Sequence, residues 1–99
     1  MKVIFAPATT LELEKIGEHI HKENPARAIA FIDELVDRCY ALTELPRRYP
    51  LVPRYEHWGM RRCVHGDYLI FYRVREEAID IAHVLHGATD YESLLFPDA

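Results

Sequence analysis

Between residues 59 and 90 the chain reads GMRRCVHGDYLIFYRVREEAIDIAHVLHGATD, which gives three strands in quick succession. Residues 60–65, 68–75 and 78–86 carry the strand pattern, with Gly66-Asp67 and Glu76-Glu77 as the turns. Glycine supplies a φ > 0 position in the first turn, while the second has no strong turn residue. Leu69-Ile70-Phe71 makes the middle strand apolar on both faces, so one side meets other elements and the other is partly covered. A sheet of this kind needs a partner layer, and the residues before it supply one.

Those earlier residues read as a short strand and two helices. Val3 and Phe5 alternate with Lys2 and Ile4 over residues 2–6. Thr9 and Glu12 have capping-box spacing, which predicts a helix from there to about Lys22. Leu13, Ile16 and Ile20 form its apolar stripe, and Glu12, Glu14, Lys15 and Glu18 are expected to face solvent. Asn24-Pro25 supplies an N-cap and a first-turn proline for a second helix reaching about Leu45. Ala28, Ile32, Leu35, Cys39 and Leu42 recur along it at spacings of four and three, giving one buried seam. So short a link requires an antiparallel helical hairpin. Pro46, Pro50 and Pro53 then restrict a loop that Tyr49, Leu51, Val52 and Tyr55 can dock onto the body. After Asp90, one short helical turn is expected through Leu94, Leu95 and Phe96.

The expected fold is α+β: a single domain over residues 1–99 with order β-α-α-β-β-β, its helical hairpin packed on one face of a mainly antiparallel four-stranded sheet. A chain of 99 residues buries only about two-thirds of its unfolded surface. No apolar run approaches the roughly 18–20 residues that span a bilayer, and no signal-peptide pattern opens the chain. The expected location is the cytoplasm, with no membrane partner. Cys39 and Cys63 are too few for a disulfide framework and read as buried apolar groups.

Charge is segregated along the chain. Residues 1–45 hold five basic and eight acidic side chains, residues 46–75 seven arginines against Glu56 and Asp67, and residues 76–99 six acids and no base. The middle segment is therefore a basic island that either faces an acidic partner or is neutralised by the tail. A pI of about 5.8 argues against direct nucleic-acid binding, which usually comes with a strongly basic domain.

Catalytic and metal patterns find little support. His19 and His21, two apart on a helix, share no face, and His83 and His86, three apart on a strand, point to opposite faces. No cluster of ligands forms around them, so no metal is expected. GxSxG, GxGxxG and P-loop patterns are absent, and no cofactor is expected. Acid/base cleavage of RNA needs a base, an acid and cations around the phosphorane. Arg61, Arg62, Arg73, His83, His86, Tyr68, Tyr72 and Tyr91 are the groups available for it. Against that, Tyr68 and Tyr72 share a strand face and read as packing residues, while Arg73 and Arg75 share the other and read as solvent-exposed.

The chain resembles the ParE-type toxins of the ParE/RelE superfamily, the toxic halves of bacterial type II toxin–antitoxin modules. The resemblance rests on Ala8, Glu12, Leu13, Ile16 and Ile20 in the first helix and Asn24, Pro25, Ala28, Phe31 and Ile32 in the second. Leu45-Pro46, Tyr49-Pro50, Gly59, Arg61-Arg62, the run from Tyr68 to Val74, Ile79-Asp80-Ile81, Val84 to Gly87 and Asp90 complete it. It implies the β-α-α-β-β-β fold, a cognate ParD-like antitoxin, a toxin–antitoxin hetero-oligomer and a role in plasmid stabilisation. ParE-like members are associated with inhibiting DNA gyrase, and RelE-like members with cutting mRNA on the ribosome. Thr89 stands where many relatives carry arginine in a His-Gly-Ala-Arg-Asp ending, which weighs against the RelE-like activity.

Three readings follow, the last of them a degenerate partner-binding domain with no toxicity. The leading one is a non-enzymatic gyrase inhibitor whose partner surface draws on Arg47, Arg48, Arg54, Arg61, Arg62, Tyr68, Tyr72 and Arg73. The runner-up is a ribosome-dependent endonuclease using Arg61, Arg73 and His86. Adjacent on a strand, Arg61 and Arg62 must point to opposite faces, one paired to an acidic group and the other free for a partner. The open face of the sheet and the outer side of the helical hairpin are the expected docking surfaces.

Overall fold

A computed structural model describes residues 1–98 of the chain; Ala99, the last residue of the expected domain, lies outside them. The elements are β1 (Lys2–Phe5), α1 (Pro7–His21), α2 (Pro25–Ala41), a 3-10 turn (Glu56–Trp58), β2 (Arg61–His65), β3 (Tyr68–Val74), β4 (Ala78–His86) and α3 (Tyr91–Leu95). The sheet order is β1-β4-β3-β2, with β1 parallel to β4 and the other pairs antiparallel. The architecture expected from the sequence is therefore present.

The α1 N-terminus departs from expectation. The helix begins at Pro7 with Ala6 as an uncapped N-cap. Thr9 and Glu12 do not form a capping box. Thr9 Oγ1 instead donates to the Ile81 carbonyl at 2.9 Å and is fully buried. Glu12 is turned inward, accepting from the Val84 amide at 2.9 Å. The physical reason lies in the sheet: β1 pairs with β4 only as far as Ile81, so the β4 edge beyond it has backbone groups to satisfy. Thr9 adds a second donor to the Ile81 carbonyl, which the Ala6 amide also reaches, and Glu12 takes over beyond the end of β1.

At α2 the Asn24 side chain accepts from the Arg27 amide at 3.1 Å, the cap expected from the sequence. The helix ends at Ala41, four residues short of Leu45. Amides of Leu42, Thr43 and Glu44 bond three residues back, tightening the exit. Leu45 precedes Pro46, whose ring disfavours helical backbone there.

Apolar contacts form two layers. Leu35, Cys39, Cys63, Ile70, Tyr72, Ile79, Ile81 and Val84 are buried between the hairpin and the sheet. On the opposite face, Leu69 and Phe71 meet Val52, Met60, Leu95 and Phe96, with Tyr55 and Tyr91 packed beside them. The sheet face away from the helices is thus covered by the proline loop and α3, and the open docking face expected there is corrected. An apolar Leu69-Phe71 alternation in β3 requires such a cover, because leaving both side chains wet forfeits roughly 1.5–3 kcal/mol each. β4 carries one extra residue: Phe71 faces His83 and Tyr72 faces Ile81, leaving Ala82 as a bulge.

Candidate partner-binding surfaces

The basic island is mostly tied into the protein's own hydrogen bonds. Arg61, on the same face as Tyr72 by strand register, donates to the carbonyls of Tyr49 at 2.7 Å and Arg47 at 3.2 Å. Arg62 points to the other face and donates to the Tyr91 hydroxyl at 2.7 Å. The opposite-face geometry holds, but both arginines have neutral oxygen partners, and the carboxylate expected for one of them is replaced by main-chain carbonyls. Arg73 Nε donates to the Trp58 carbonyl at 3.0 Å. Arg75, expected to be simply solvent-exposed, forms a two-point pair with Asp80. Arg47 and Arg48 lie exposed in the loop, with Arg48 5.5 Å from the Tyr49 ring.

Arg54 is the remaining member. Its guanidinium pairs with Glu92 in α3 at 2.6 Å, and this contact holds its pKa above the ordinary arginine value. Arg54 is also the single non-glycine residue with positive φ (74°) among the described residues.

The tyrosines divide. Tyr68 is half-buried against Phe31 and His86, with ring centroids 5.6 and 5.2 Å away, and burial raises its hydroxyl pKa. Tyr72 is fully buried and donates to the Pro46 carbonyl at 2.8 Å. Burial pushes that hydroxyl up to about 12. Tyr72 is therefore a core residue that anchors the start of the proline loop, and it cannot touch a partner directly.

The three groups of the nuclease reading do not converge. Arg61 is opposite Tyr72 and His86 opposite Tyr68, four positions apart on β3. At about 3.3 Å per residue this separates them by about 13 Å along the strand. Arg73 lies on the opposite face, and His86 Nδ1 accepts from the Ala88 amide at 3.0 Å. Among the described residues no group of His, Cys, Asp or Glu is placed to hold a metal. Cys39 and Cys63 are free and buried, matching their reading as buried apolar groups. Burial, helped by the neighbouring Cys63, pushes the Cys39 thiol up to about 12, which leaves it protonated and unreactive.

The outer side of the helical hairpin offers a different surface. A groove of about 560 Å³ runs between α1 and α2 over Leu13, Gly17, Ala28, Ile29 and Ile32, with Glu14, Glu18 and Asp33 along its rim. Ile29 is 70% exposed in it. Gly17 keeps the floor low: a Cβ there would stand 3.5 Å from Ile32 Cγ1. Sequence periodicity places Leu13 and Ile32 on buried stripes, and Ile29, one turn before the Asp33 rim, is the apolar residue off the stripe that marks this surface. No sequence signal marks Arg38, whose Nη2 reaches the Val64 carbonyl at 3.2 Å.

A family model described as ParE toxin of type II toxin-antitoxin system, parDE, matches residues 3–91. The chain belongs to this family of ParE toxins. Solved structures share the fold. A chain from the chromosomal ParDE system of P. aeruginosa superposes with a TM-score of 0.75 at 17% identity, over 87% of this chain and 95% of that one. A chain from the toxin–antitoxin complex RelBE2 of Mycobacterium tuberculosis gives 0.64 at 21% identity, over 86% and 95%. At these identities the likeness is one of fold. No curated protein sequence matches the chain significantly. Among the described residues of this ParE toxin, no helix is long and apolar enough to cross a membrane.

Proposed function

We propose that this ParE-family toxin inhibits DNA gyrase by binding it, acts in the cytoplasm, and is held silent by a cognate antitoxin. Membership in the ParE toxin family supports the target class. The observation that carries the non-enzymatic reading is the dispersal of Arg61, Arg73 and His86 over both faces and opposite ends of the sheet, each already committed to a structural hydrogen bond. General acid–base cleavage needs its groups within hydrogen-bond reach of one phosphate. Purified toxin added to gyrase supercoiling and cleavage assays is the direct test. Inhibition is expected; an inert gyrase assay together with cleavage of ribosome-bound message would reverse the assignment to the endonuclease reading.

The antitoxin reading rests on the two surfaces left open. The hairpin groove is apolar with an acidic rim, and the Arg47–Arg48 loop is basic. A disordered antitoxin segment that folds on binding fits both when its apolar helix face lies in the groove and its carboxylates reach the arginines. Apolar burial then sets most of the affinity, and the charges set association rate and register. A toxin–antitoxin hetero-oligomer is the resting form in this reading.

A further inference from the structure

Where the end of α2 meets the start of the proline loop, Arg38 and Arg48 approach the same aromatic ring. Their guanidinium carbons lie 5.9 and 5.5 Å from the Tyr49 ring centroid. Together the three side chains line a pocket of about 180 Å³, with Glu44 beside them. At roughly 30 Å³ per water in the liquid, the space admits a carboxylate and a little solvent.

Three features make this pocket an incomplete electrostatic site. Arg38 Nε is buried and is the one buried side-chain nitrogen or oxygen without a hydrogen-bond partner among the described residues. Its guanidinium has a single acceptor, the Val64 carbonyl, and arginine cannot shed its proton to relieve the deficit. Neither Arg38 nor Arg48 is ion-paired among the described residues, although Glu44 is close enough to line the same pocket. The main chain that carries the shared aromatic is held in place: Arg61 donates to the Tyr49 carbonyl at 2.7 Å, and Tyr72 donates to the Pro46 carbonyl at 2.8 Å. The loop carrying Tyr49 and Arg48 is therefore fixed before any ligand arrives, which lowers the ordering cost of binding.

We infer that the Arg38–Tyr49–Arg48 pocket is a carboxylate-binding site, and that its occupant is one acidic side chain of the antitoxin's toxin-binding segment. The second clause rests on the antitoxin reading above; the first does not. Arginine is suited to this ligand because its planar fork presents parallel donors to a carboxylate. Glu44 weakens the site: its negative charge opposes occupation, so free acetate binds only at high concentration, and a carboxylate delivered by a partner bound elsewhere on the toxin gains from its high local concentration.

Two measurements test the two clauses. Acetate, compared with chloride at equal ionic strength, is titrated into the whole toxin while the arginine Nε–H resonances are followed by NMR. The Arg38 and Arg48 signals should move together and saturate, that of Arg75 should stay put, and Glu44→Gln should tighten the apparent affinity. Non-saturating drift shared by all arginines overturns the pocket. The second arm is a double-mutant cycle on the toxin–antitoxin complex, pairing toxin Arg48→Ala with each antitoxin carboxylate changed in turn to its amide. One carboxylate should couple: either single change weakens binding about tenfold and the double change hardly more. Arg75→Ala is the control and should not couple. Additivity for every carboxylate, with tight wild-type binding retained, overturns the stated occupant while leaving the antitoxin reading intact. Absence of any wild-type binding overturns that reading and the occupant together, and the acetate result then stands alone on the pocket.

Discussion

Glu12 and His83, 71 positions apart in the chain, meet at 2.7 Å between Oε2 and Nδ1. The second carboxylate oxygen of Glu12 accepts from the neighbouring Val84 amide. One side chain from α1 therefore does for the end of β4 what β1 does for its beginning. Glu12→Ala removes both contacts and leaves a buried amide unpaired, at a cost of about 1–3 kcal/mol. For a domain of this size that lowers the melting temperature by roughly 4–8 °C per kcal/mol. Glu12→Gln keeps an acceptor for Val84 and should fall between wild type and alanine in a thermal melt. Equal melting of all three would show that the contact contributes nothing.

The pair also shows where sequence reading reached its limit. Thr9 and Glu12 carry the spacing of a capping box, and local spacing cannot reveal that β1 is too short to cover β4. That depends on a parallel pairing between residues more than seventy apart. The order of elements along the chain and the Leu35–Cys39–Leu42 seam were legible because they rest on periodicity within each element, and the hairpin because the link between its helices is so short. The Asn24 cap was legible for the same reason. Burial of Tyr72 and the cover over Leu69 and Phe71 were not, since both depend on where a loop and a terminal helix return in space. Arg61 and Arg62 could be assigned to opposite faces, but their oxygen partners come from the loop and α3, which no strand pattern locates.

Alkaline pH should destabilise the protein through two buried acids. The Cys39 thiol is raised from 9.0 to about 12 and the Tyr72 hydroxyl from 10.0 to about 12. Both hold their protons more tightly in the folded state, so unfolding releases them and stability falls as pH rises. Their contributions are complete below pH 9, begin to fall as the unfolded thiol ionises, and are lost as pH passes about 12. Denaturant titrations under reducing conditions should show the decline starting near pH 9. Cys39→Ala should remove the earlier part, so that its decline begins nearer pH 10. Tyr72→Phe should flatten the later part, while also costing stability at neutral pH by leaving the Pro46 carbonyl without its donor. A flat profile to pH 11 in the wild type would contradict both assignments.

Arg54 separates a backbone effect from a side-chain effect. Its φ of 74° is a conformation in which a Cβ is strained, and its side chain pairs with Glu92 at the surface. Alanine at this position loses the pair and keeps the strain, whereas glycine loses the pair and relieves the strain. Arg54→Gly should therefore melt higher than Arg54→Ala, by about 5 °C. Identical melting temperatures would mean that the loop relaxes around the alanine.

Arg61→Ala and Arg62→Ala should differ in what they loosen. The first frees the carbonyls of residues 47 and 49, and the second frees Tyr91 at the head of α3. Amide hydrogen exchange should rise in residues 46–52 for one variant and in residues 91–96 for the other. Tyr91→Phe should reproduce the Arg62→Ala pattern, because it deletes the same hydrogen bond from the other side. Matching exchange maps for the two arginine variants would count against this division of labour.

Ile29 gives the sharpest test of the hairpin groove. At 70% exposure it contributes little to the core, so Ile29→Glu should leave the melting temperature within about 2 °C of wild type. In the complex the same side chain is expected to be buried by an apolar helix face, and burying an isoleucine is worth roughly 1.5–3 kcal/mol. Its loss should weaken antitoxin binding by about 10- to 100-fold, since each 1.4 kcal/mol is about a factor of ten. Glutamate adds a fourth acid to a rim already holding Glu14, Glu18 and Asp33, which should repel a carboxylate-bearing antitoxin segment further at low salt. Ile29→Lys, which reverses the added charge, should lose affinity for the same apolar reason but less steeply, because it offsets part of the acidic rim. Calorimetric titration at two salt concentrations separates the contributions: the apolar loss is common to both variants, and the difference between them shrinks as salt screens the rim. Unaltered affinity in both variants would move the antitoxin off the hairpin groove.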